Sequence, residues 1–372
     1  MHPVHVLLAE GADAETMRKA AEVVRARAEE WGLRAQLPRG AGAASDRTMV
    51  LSACEAETAS KVMQALGELS GVEATSHGRE PLFRVNDPEA TAESLTLGDA
   101  QFGKGDTSIV AGPCSVESLE QLLPFAQQLR DSGATALRAG AYKPRTSPYH
   151  FPGMGEAGLE ILAEVQRQTG LAIVTELLRP EDAEVVANVA QMVQIGSRNM
   201  SNTALLREAA QTGRPVLLKR GMAATISEFL QAAEALADAG ASHILLCERG
   251  LRHFDGETRN LLDLGSVPLL KTRTHLPVVV DPSHGVGRSD LVAPMMAAAV
   301  AAGADGLLVE VHPQPQASVS DAVQALSLSE FQHAVQPLAS ILEAVGRRLV
   351  TAAHGFSTPP ASPDDSSTHP RR

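Results

Sequence analysis

Cysteine is scarce in this sequence: Cys54, Cys114 and Cys247 are the only three in 372 residues, and they lie far apart. An odd number of widely spaced cysteines excludes the disulfide framework that is typical of small secreted domains. The N-terminal stretch "MHPVHVLLAEGADAETM" lacks the basic segment of a secretory signal, and acidic residues follow its short apolar run at once. We therefore expect a cytoplasmic protein.

Long apolar runs and an excess of positive charge are missing as well. No apolar run approaches the roughly 20 residues of a membrane-spanning helix, so we expect no membrane span. Lys and Arg number 32 against 44 Asp and Glu, which gives a formal net charge of -12. Because nucleic acids and anionic membranes are bound mainly through Lys and Arg, we expect neither of them as a partner. A local cluster of cations on this background predicts one small anionic ligand instead.

The stretch "LRAGAYKPRTSPY", residues 137–149, contains such a cluster, with Arg138, Lys143 and Arg145 within eight residues. Its two prolines are incompatible with a charged surface helix. An apolar run precedes it directly. The pattern therefore predicts the end of a buried strand, followed by a stiff loop whose cations face an anion.

Changes in composition divide the chain into four parts. Residues 1–85 follow the order βαββαβ, which is typical of a small ferredoxin-like α+β domain. Residues 86–106 are rich in turn formers and are predicted to be a linker, and residues 107–350 form the main domain. Residues 354–372 are rich in Pro, Ser and Asp, a composition that cannot build a core, and we expect them to be disordered.

The main domain consists of short apolar runs that alternate with amphipathic stretches ending on glycine, the residue that commonly follows a helix. Continuous apolar runs indicate strands buried on both faces, and hence a parallel sheet. Eight such units in residues 107–350 match the size of a (β/α)8 TIM barrel. An open doubly wound sheet is the alternative, but a GxGxxG turn is absent after the first run.

Reactive residue types lie at the C-terminal ends of these predicted strands, where TIM barrels carry their active sites. Closure of a barrel makes the seventh, eighth and first strands neighbours. It would therefore bring together a group that we name the ligand quartet: Cys114, His284, Glu310 and Asp321. Taken alone, Cys114 could be an inert buried thiol, His284 a hydrogen-bonded imidazole, and each carboxylate a solvated surface group. A thiolate, an imidazole and two carboxylates together predict a site for a divalent metal such as Mn, Fe, Co or Zn.

Cations occupy the other strand ends of the predicted barrel. They are Arg138, Lys143, Arg145, Arg198, Lys219 and Arg249. Six cations around one mouth would repel each other unless an anion lay among them, and Arg and Lys suit phosphate and carboxylate groups. The sequence therefore predicts phosphorylated, carboxylated small molecules beside the metal.

Several motifs occur here in the order and wording of one enzyme family. They include "AGPCSVES", "LRAGAYKPRTSPYHFPG", "QIGSRNM", "LLKRGMAATISEFL", "CERGLRHFD" and "VVVDPSHGVGR". Over residues 1–349 the sequence resembles the short-type 3-deoxy-D-arabino-heptulosonate 7-phosphate (DAHP) synthases that carry an N-terminal ferredoxin-like domain. The resemblance implies the condensation of phosphoenolpyruvate with erythrose 4-phosphate and water to DAHP and phosphate, the first step of the shikimate pathway to aromatic amino acids.

The resemblance also implies roles for single residues. The family's metal ligands fall on the ligand quartet. Its phosphoenolpyruvate site falls on Arg138, Ser197, Arg198, Lys219 and Arg249, and its erythrose 4-phosphate site on Lys143, Pro144, Arg145 and Thr146. Lys219, or Lys143 and Glu176 through water, would move protons, and Asp281 would orient the sugar or the loop that carries His284.

The resemblance further implies a homotetramer and feedback inhibition by Phe or Tyr at the N-terminal domain, for which a dimerisation or solubility module is the alternative. The nearest rival activity is that of 3-deoxy-octulosonate 8-phosphate synthase, which takes arabinose 5-phosphate and usually has Lys-Ala-Asn-Arg-Ser-Ser where this chain has "KPRT". A metal-free aldolase that forms a Schiff base through Lys219 is a second rival. A sugar-phosphate sensor on a catalytically dead barrel is the third, but it would be expected to have lost ligands or cations.

Overall fold

The computed structural model describes residues 1–9, 14–36, 47–78, 81–86, 93–143, 149 and 151–352. The tail predicted to be disordered, residues 354–372, lies outside these ranges, as do Pro144, Arg145 and Thr146 of the predicted erythrose 4-phosphate site. None of the helices within the described ranges combines the length and the apolar composition that crossing a bilayer requires.

The N-terminal domain is a four-stranded antiparallel sheet with two helices. Its elements are β1 (His2–Leu8), α1 (Ala14–Glu29), β2 (Ala35–Gln36), β3 (Thr48–Cys54), α2 (Ala56–Gly67) and β4 (Val72–His77). The strand order is β2-β3-β1-β4, which confirms the predicted ferredoxin-like arrangement. The apolar side chains of α1 and α2, such as Val24 and Val62, form a core with Val6 and Leu51 of the sheet.

A short hairpin follows, formed by β5 (Leu95–Leu97) and β6 (Ala100–Phe102). It lies within residues 86–106, the range predicted as a linker. The hairpin packs its apolar side chains into the interior of the main domain beside Val110 and Leu217. The Phe102 ring lies against Gly306, where an added Cβ would be 2.8 Å from it. The hairpin thus closes one end of the main domain.

The main domain is a closed barrel of eight parallel strands. They are β7 (Asp106–Gly112), β8 (Ala136–Arg138), β9 (Ala172–Glu176), β10 (Met192–Ile195), β11 (Val216–Lys219), β12 (Ile244–Glu248), β13 (Val278–Val280) and β14 (Gly306–Glu310). Each of the eight apolar runs contains one strand. β14 pairs with β7 from Gly306↔Ser108 to Glu310↔Gly112, which closes the barrel and rules out the open sheet. A final short strand, β15 (Arg348–Leu349), also pairs with β7.

Helices surround the barrel. They are α3 (Leu119–Asp131), α4 (Glu156–Thr169), α5 (Ala183–Val189), α6 (Thr203–Gln211), α7 (Ile226–Asp238), α8 (Ser266–Lys271), α9 (Pro282–Val286), α10 (Ser289–Ala301), α11 (Leu328–Val335) and α12 (Leu338–Ala344). Local sequence explains their ends. Thr225 and Glu228 form a capping box at the start of α7, and Gly170, with a φ of 73°, ends α4.

A carboxylate of α7 holds the segment that joins the two domains. Glu234 accepts hydrogen bonds from the backbone N–H groups of Phe83, Arg84 and Val85, at 2.8 to 3.1 Å. The Arg84 side chain also reaches Asp238 of the same helix at 3.2 Å. The chain that leaves the ferredoxin-like domain is therefore fixed to the side of the barrel.

Candidate active site

A cavity of about 250 Å³ opens at the C-terminal ends of the barrel strands. Nine of the predicted site residues line it: Arg138, Lys143, Glu176, Ser197, Arg198, Lys219, Arg249, His284 and Asp321. Cys114, Asp281 and Glu310 are buried directly beside lining residues. The barrel therefore brings together every predicted site residue that lies within the described ranges.

The ligand quartet converges at one side of this cavity. Ligand atoms of Cys114, Glu310 and Asp321 all lie within 4.8 Å of one another. The Cys114 Sγ is 3.1 Å from Asp321 Oδ2, and His284 Nε2 is 3.5 Å from Glu310 Oε1. Asp321 has a φ of 55°, a left-handed conformation that Asp tolerates better than most residues.

The free atoms of the quartet suit a divalent cation. Glu310 Oε1 is buried and has no hydrogen-bond donor among the described residues, because the nearby Arg138 Nη2, at 3.1 Å, is not aligned for a hydrogen bond. Arg138 offsets the charge of this carboxylate but leaves the oxygen without a hydrogen bond, which is costly for a buried polar atom. His284 directs Nδ1 to Asp281 Oδ2 at 2.8 Å, which leaves Nε2 free to act as a ligand. The residues therefore fit a metal such as Mn, Fe, Co or Zn.

Burial and neighbouring charges set the protonation of the quartet. Burial, with the Glu310 carboxylate nearby, raises the pKa of the Cys114 thiol to about 12. Burial also lowers the pKa of His284, which keeps the imidazole neutral. Burial acts against the ionised forms of Glu310 and Asp321. The His284 ring and Arg138 nevertheless lower the pKa of Glu310, and the hydrogen bond from the Cys114 thiol, followed by the His284 ring and Arg259, lowers that of Asp321. A bound cation would therefore have to displace one proton, that of Cys114.

Asp281 connects the quartet to the rest of the site. Its carboxylate is fully buried and accepts hydrogen bonds from Lys219 Nζ at 2.6 Å, His284 Nδ1 at 2.8 Å and the His284 backbone N–H at 2.9 Å. Although burial opposes ionisation, His284 and Lys219 hold the pKa of this carboxyl well below its usual range. Of the two roles considered for Asp281, the geometry favours orienting the segment that carries His284.

The same cavity is lined by a group that we name the anion pocket: Arg138, Ser197, Arg198, Lys219 and Arg249. Arg138 is 5% exposed, and its Nε and Nη1 groups have no acceptor among the described residues. Burial lowers the pKa of Arg249, which indicates how little water reaches that guanidinium. Buried guanidinium donors without acceptors predict an anionic ligand that supplies them.

Lys143 lies between the anion pocket and the quartet. Its Nζ donates to the Cys114 backbone oxygen at 2.9 Å and lies 2.8 Å from the Cys114 sulfur. The same side chain lines the cavity. Lys143 is thus the described member of the "KPRT" motif that is in place to contact a ligand beside the metal position.

Gly196 makes room for the carboxylate of Glu176. A Cβ added at Gly196 would lie 2.0 Å from Glu176 Oε1, a distance that no side chain tolerates. Glu176 would have to leave its position in the cavity. This explains why glycine follows β10 at this point.

Gly196→Ala is therefore expected to lower kcat/KM by about 100-fold, the effect of misplacing a catalytic group by about 1 Å. The control is Gly67→Ala in α2, where an added Cβ meets nothing within 4 Å. Steady-state kinetics on both variants would test the expectation. A wild-type kcat/KM for Gly196→Ala would show that the position of Glu176 does not matter.

Sequence reasoning missed three residues that line the cavity: Gln194, Met222 and Arg259. Arg259 belongs to residues 249–265, the connection between β12 and α8. Arg259 could have been recognised as a cation in a loop near the barrel mouth. Hydrophobic periodicity, however, does not predict where a loop runs. Gln194 and Met222 carry no charge that would distinguish them from core residues.

The comparison with known proteins adds to this geometry. The family model of the DAHP synthetase I family matches residues 85–344, which include the whole barrel. The chain belongs to the DAHP synthetase I family. Its resemblance to DAHP synthases is thereby confirmed.

Other members of the DAHP synthetase I family match almost the whole chain. A phospho-2-dehydro-3-deoxyheptonate aldolase of Thermotoga maritima is 42% identical over 347 residues, which are 92% of this chain and 99% of the relative. The crystal structure of a DAHP synthase from Thermotoga maritima superposes with a TM-score of 0.73 at 40% identity, covering 94% of this chain and all of that one.

A second enzyme class matches less of the chain. A 2-dehydro-3-deoxyphosphooctonate aldolase of Rhodopseudomonas palustris is 31% identical over 274 residues, 68% of this chain and 94% of the relative. The Thermotoga maritima relative therefore shares both more of the sequence and more of the chain.

Proposed function

We propose that this protein is a DAHP synthase, which condenses phosphoenolpyruvate with erythrose 4-phosphate and water to give DAHP and phosphate. The observation that carries the proposal is the buried Arg138, which lines a cavity bordered by the ligand quartet and has two donor groups without an acceptor among the described residues. An anion pocket beside a cation site suits two phosphorylated substrates, one of which has to be polarised at a carbonyl group. Membership of the family supports the same conclusion.

The substrates divide the cavity between them in this proposal. The anion pocket binds the phosphate and carboxylate of phosphoenolpyruvate, with Arg138 and Arg249 as forked donors and Lys219 as a point charge. Erythrose 4-phosphate binds at Lys143 and at Pro144, Arg145 and Thr146. Lys143 is close to Cys114, so the aldehyde end of this substrate lies toward the quartet.

The ligand quartet would hold the divalent metal through the Cys114 sulfur, the His284 imidazole and the carboxylates of Glu310 and Asp321. When bound, the metal supplies Lewis acidity toward the aldehyde oxygen of erythrose 4-phosphate. Asp281 keeps the His284 ring oriented, with Nδ1 as the donor and Nε2 free.

The chain's own residues hold the reactants and exchange protons. C3 of phosphoenolpyruvate attacks the aldehyde carbon, water adds at C2, and the resulting hemiketal phosphate releases phosphate. Lys219 keeps its ammonium 2.6 Å from Asp281 and stabilises the anion above it. Glu176 lines the cavity and is the carboxylate placed to take a proton from the attacking water, with Lys143 as the donor nearest the quartet.

The rival activities fit the site less well. A Schiff-base aldolase needs a free Lys219 amine, whereas this ammonium is held by a buried carboxylate. A dead barrel would be expected to lack ligands or cations, yet the four ligands and the described cations are all in place. Two observations argue against arabinose 5-phosphate as the acceptor. They are the sequence "KPRT" at residues 143–146 and the shorter match to the 2-dehydro-3-deoxyphosphooctonate aldolase.

Consumption of phosphoenolpyruvate by the purified protein tests the proposal. We expect turnover with erythrose 4-phosphate, its loss after treatment with EDTA, and its recovery on adding Mn²⁺, because in this proposal the metal supplies the Lewis acidity toward the aldehyde oxygen. Arabinose 5-phosphate is the control substrate. Turnover that survives EDTA would contradict the metal role, and turnover only with arabinose 5-phosphate would contradict the choice of acceptor.

Three statements about the protein's setting stay predictions. They are assembly into a homotetramer, feedback inhibition by Phe or Tyr at the N-terminal domain, and a place at the first step of the shikimate pathway. The junction at Glu234 is one of the described contacts through which the N-terminal domain would influence the barrel.

A further inference from the structure

Residues 259–260, which we name the strap, contact the ligand quartet although they supply none of its ligands. The backbone N–H of Arg259 donates to the Val286 oxygen at 2.9 Å. Gly287 lies so close that a Cβ added there would be 2.3 Å from the Cβ of Arg259. The strap is thus packed against α9, the helix that carries His284.

Asn260 fixes the backbone of the imidazole ligand. It is 2% exposed, and its Nδ2 donates to the backbone oxygen of His284 at 2.8 Å. Asp281 holds the same residue from its other side, through the ring Nδ1 and the backbone N–H. His284 is therefore held at its backbone by two side chains as well as at its ring.

Arg259 holds both carboxylate ligands, Asp321 directly and Glu310 through the side-chain amide of Gln324. Its Nη1 donates to Asp321 Oδ1 at 3.2 Å and to Gln324 Oε1 at 2.7 Å. Gln324 is 2% exposed, and its Nε2 donates to Glu310 Oε2. The orientation of this amide is determined, because a guanidinium can only donate and a carboxylate can only accept.

These bonds occupy one oxygen of each carboxylate and leave the other. Glu310 uses Oε2 for Gln324, and Asp321 uses Oδ1 for Arg259. The other oxygens are Glu310 Oε1, 3.5 Å from His284 Nε2, and Asp321 Oδ2, which accepts hydrogen bonds from the Cys114 thiol at 3.1 Å and the Ser320 hydroxyl at 3.2 Å. The network thus turns one chosen oxygen of each carboxylate toward the other ligands.

We propose that Arg259 and Gln324 are positioning residues, which preset the two carboxylates of the ligand quartet as single-oxygen ligands for a divalent cation. The proposal rests on the proposed function in so far as the quartet holds a metal. Partners that orient metal ligands typically change metal affinity by about 10- to 100-fold when they are removed. Neither residue needs to touch the substrate for this role.

Binding of Co²⁺ to the full-length protein freed of metal, in the absence of substrate, tests the proposal. We expect Arg259→Met and Gln324→Met to raise the Co²⁺ dissociation constant about 10- to 100-fold. We also expect them to alter the visible absorption bands of the ion, because a released carboxylate oxygen changes the coordination. Arg259→Lys should recover part of the affinity, since a single ammonium on a flexible stem can meet one of the two acceptors.

Matched controls separate this role from a general effect of removing polar groups. Arg167→Met on α4 and Gln332→Met on α11 remove exposed side chains with the same chemistry. Both should bind Co²⁺ as the wild type does. The melting temperature of each metal-free variant shows whether it is folded. Should a Met variant not fold, Gln324→Asn, which keeps the amide but is too short to span both partners, gives the same readout.

The outcomes separate the two proposals. A wild-type protein that binds no Co²⁺ would contradict the metal role of the quartet, and with it the proposed function. A wild type that binds Co²⁺, together with folded Arg259 and Gln324 variants of unchanged affinity and spectrum, would overturn the positioning role alone. Weaker binding with altered bands in the variants, and in neither control, would support it.

Discussion

Replacing Asp281 with Asn is expected to destabilise the metal-free protein by about 3–5 kcal/mol, the usual effect of removing one partner from a buried ion pair. The carboxylate is 0% exposed and faces the Lys219 ammonium at 2.6 Å, and the side chain of Lys219 is itself 5% exposed. The Asn amide has nearly the same shape, but it leaves a buried ammonium without its countercharge. It also lets the His284 ring turn, because an amide offers one acceptor where the carboxylate offered two.

Urea unfolding in the presence of EDTA measures this effect, as a lower midpoint at an unchanged slope. Asp290→Asn is the matched control, because Asp290 pairs with Arg288 at the surface of α10 and should leave the midpoint unchanged. In a Lys219→Met background, Asp281→Asn should destabilise the protein much less. The buried ammonium that would otherwise lose its countercharge is then already absent. Equal midpoints for wild type and Asp281→Asn would show that the pair contributes nothing to stability.

The barrel and most of its site follow from simple features of the sequence. Parallel strands buried on both faces leave continuous apolar runs, and glycines mark the helix ends, so the eight units could be counted directly. Closure then fixes which strand ends meet. That single topological fact placed Cys114 beside Glu310, although almost two hundred residues separate them.

Residues whose position depends on packing rather than on strand order escaped prediction. The hairpin β5–β6 has strands of three residues each, too short to show an alternating pattern, and its glycines indicated only turns. Arg259 reaches the site because its loop packs on Gly287, a contact that no local pattern encodes. The role of Gln324 becomes visible only through its contacts with Arg259 and Glu310. Those contacts are known only when the positions of the loops are known.

The two halves of the site share buried ion pairs. Arg138 belongs to the anion pocket and has two donor groups that meet no acceptor in the part of the chain that the structure describes, and its Nη2 lies 3.1 Å from Glu310 of the ligand quartet. Lys219 likewise lines the cavity and is paired with Asp281, which holds His284. In both pairs, the cation lines the cavity that would hold the substrate. The carboxylate is either a ligand of the quartet or the group that orients one. Charge brought by a substrate anion therefore acts directly on the groups that would hold the metal.

Arg138→Met is accordingly expected to impair the use of phosphoenolpyruvate more than any change at the rim of the cavity. Two charge-assisted hydrogen bonds worth about 1.5–3 kcal/mol each would be lost, which corresponds to a decrease of about 10²- to 10⁴-fold in kcat/KM. The decrease should be found when phosphoenolpyruvate is varied at saturating erythrose 4-phosphate. Arg138→Lys should restore only part of it, because an ammonium keeps the charge beside Glu310 but not the two forked donors.

Arg167→Met, an exposed position on α4 paired with Glu164, is the control for loss of an arginine far from the cavity and should behave as the wild type. Arg138 would have two roles, binding the substrate anion and pairing with Glu310 of the ligand quartet. Titrating Mn²⁺ into each EDTA-treated variant measures its metal requirement and so separates them. An unchanged Mn²⁺ requirement with a large loss in kcat/KM would mean that the guanidinium serves the substrate alone. If Arg138→Met keeps the wild-type kcat/KM, the anion pocket has been assigned to the wrong side of the barrel mouth.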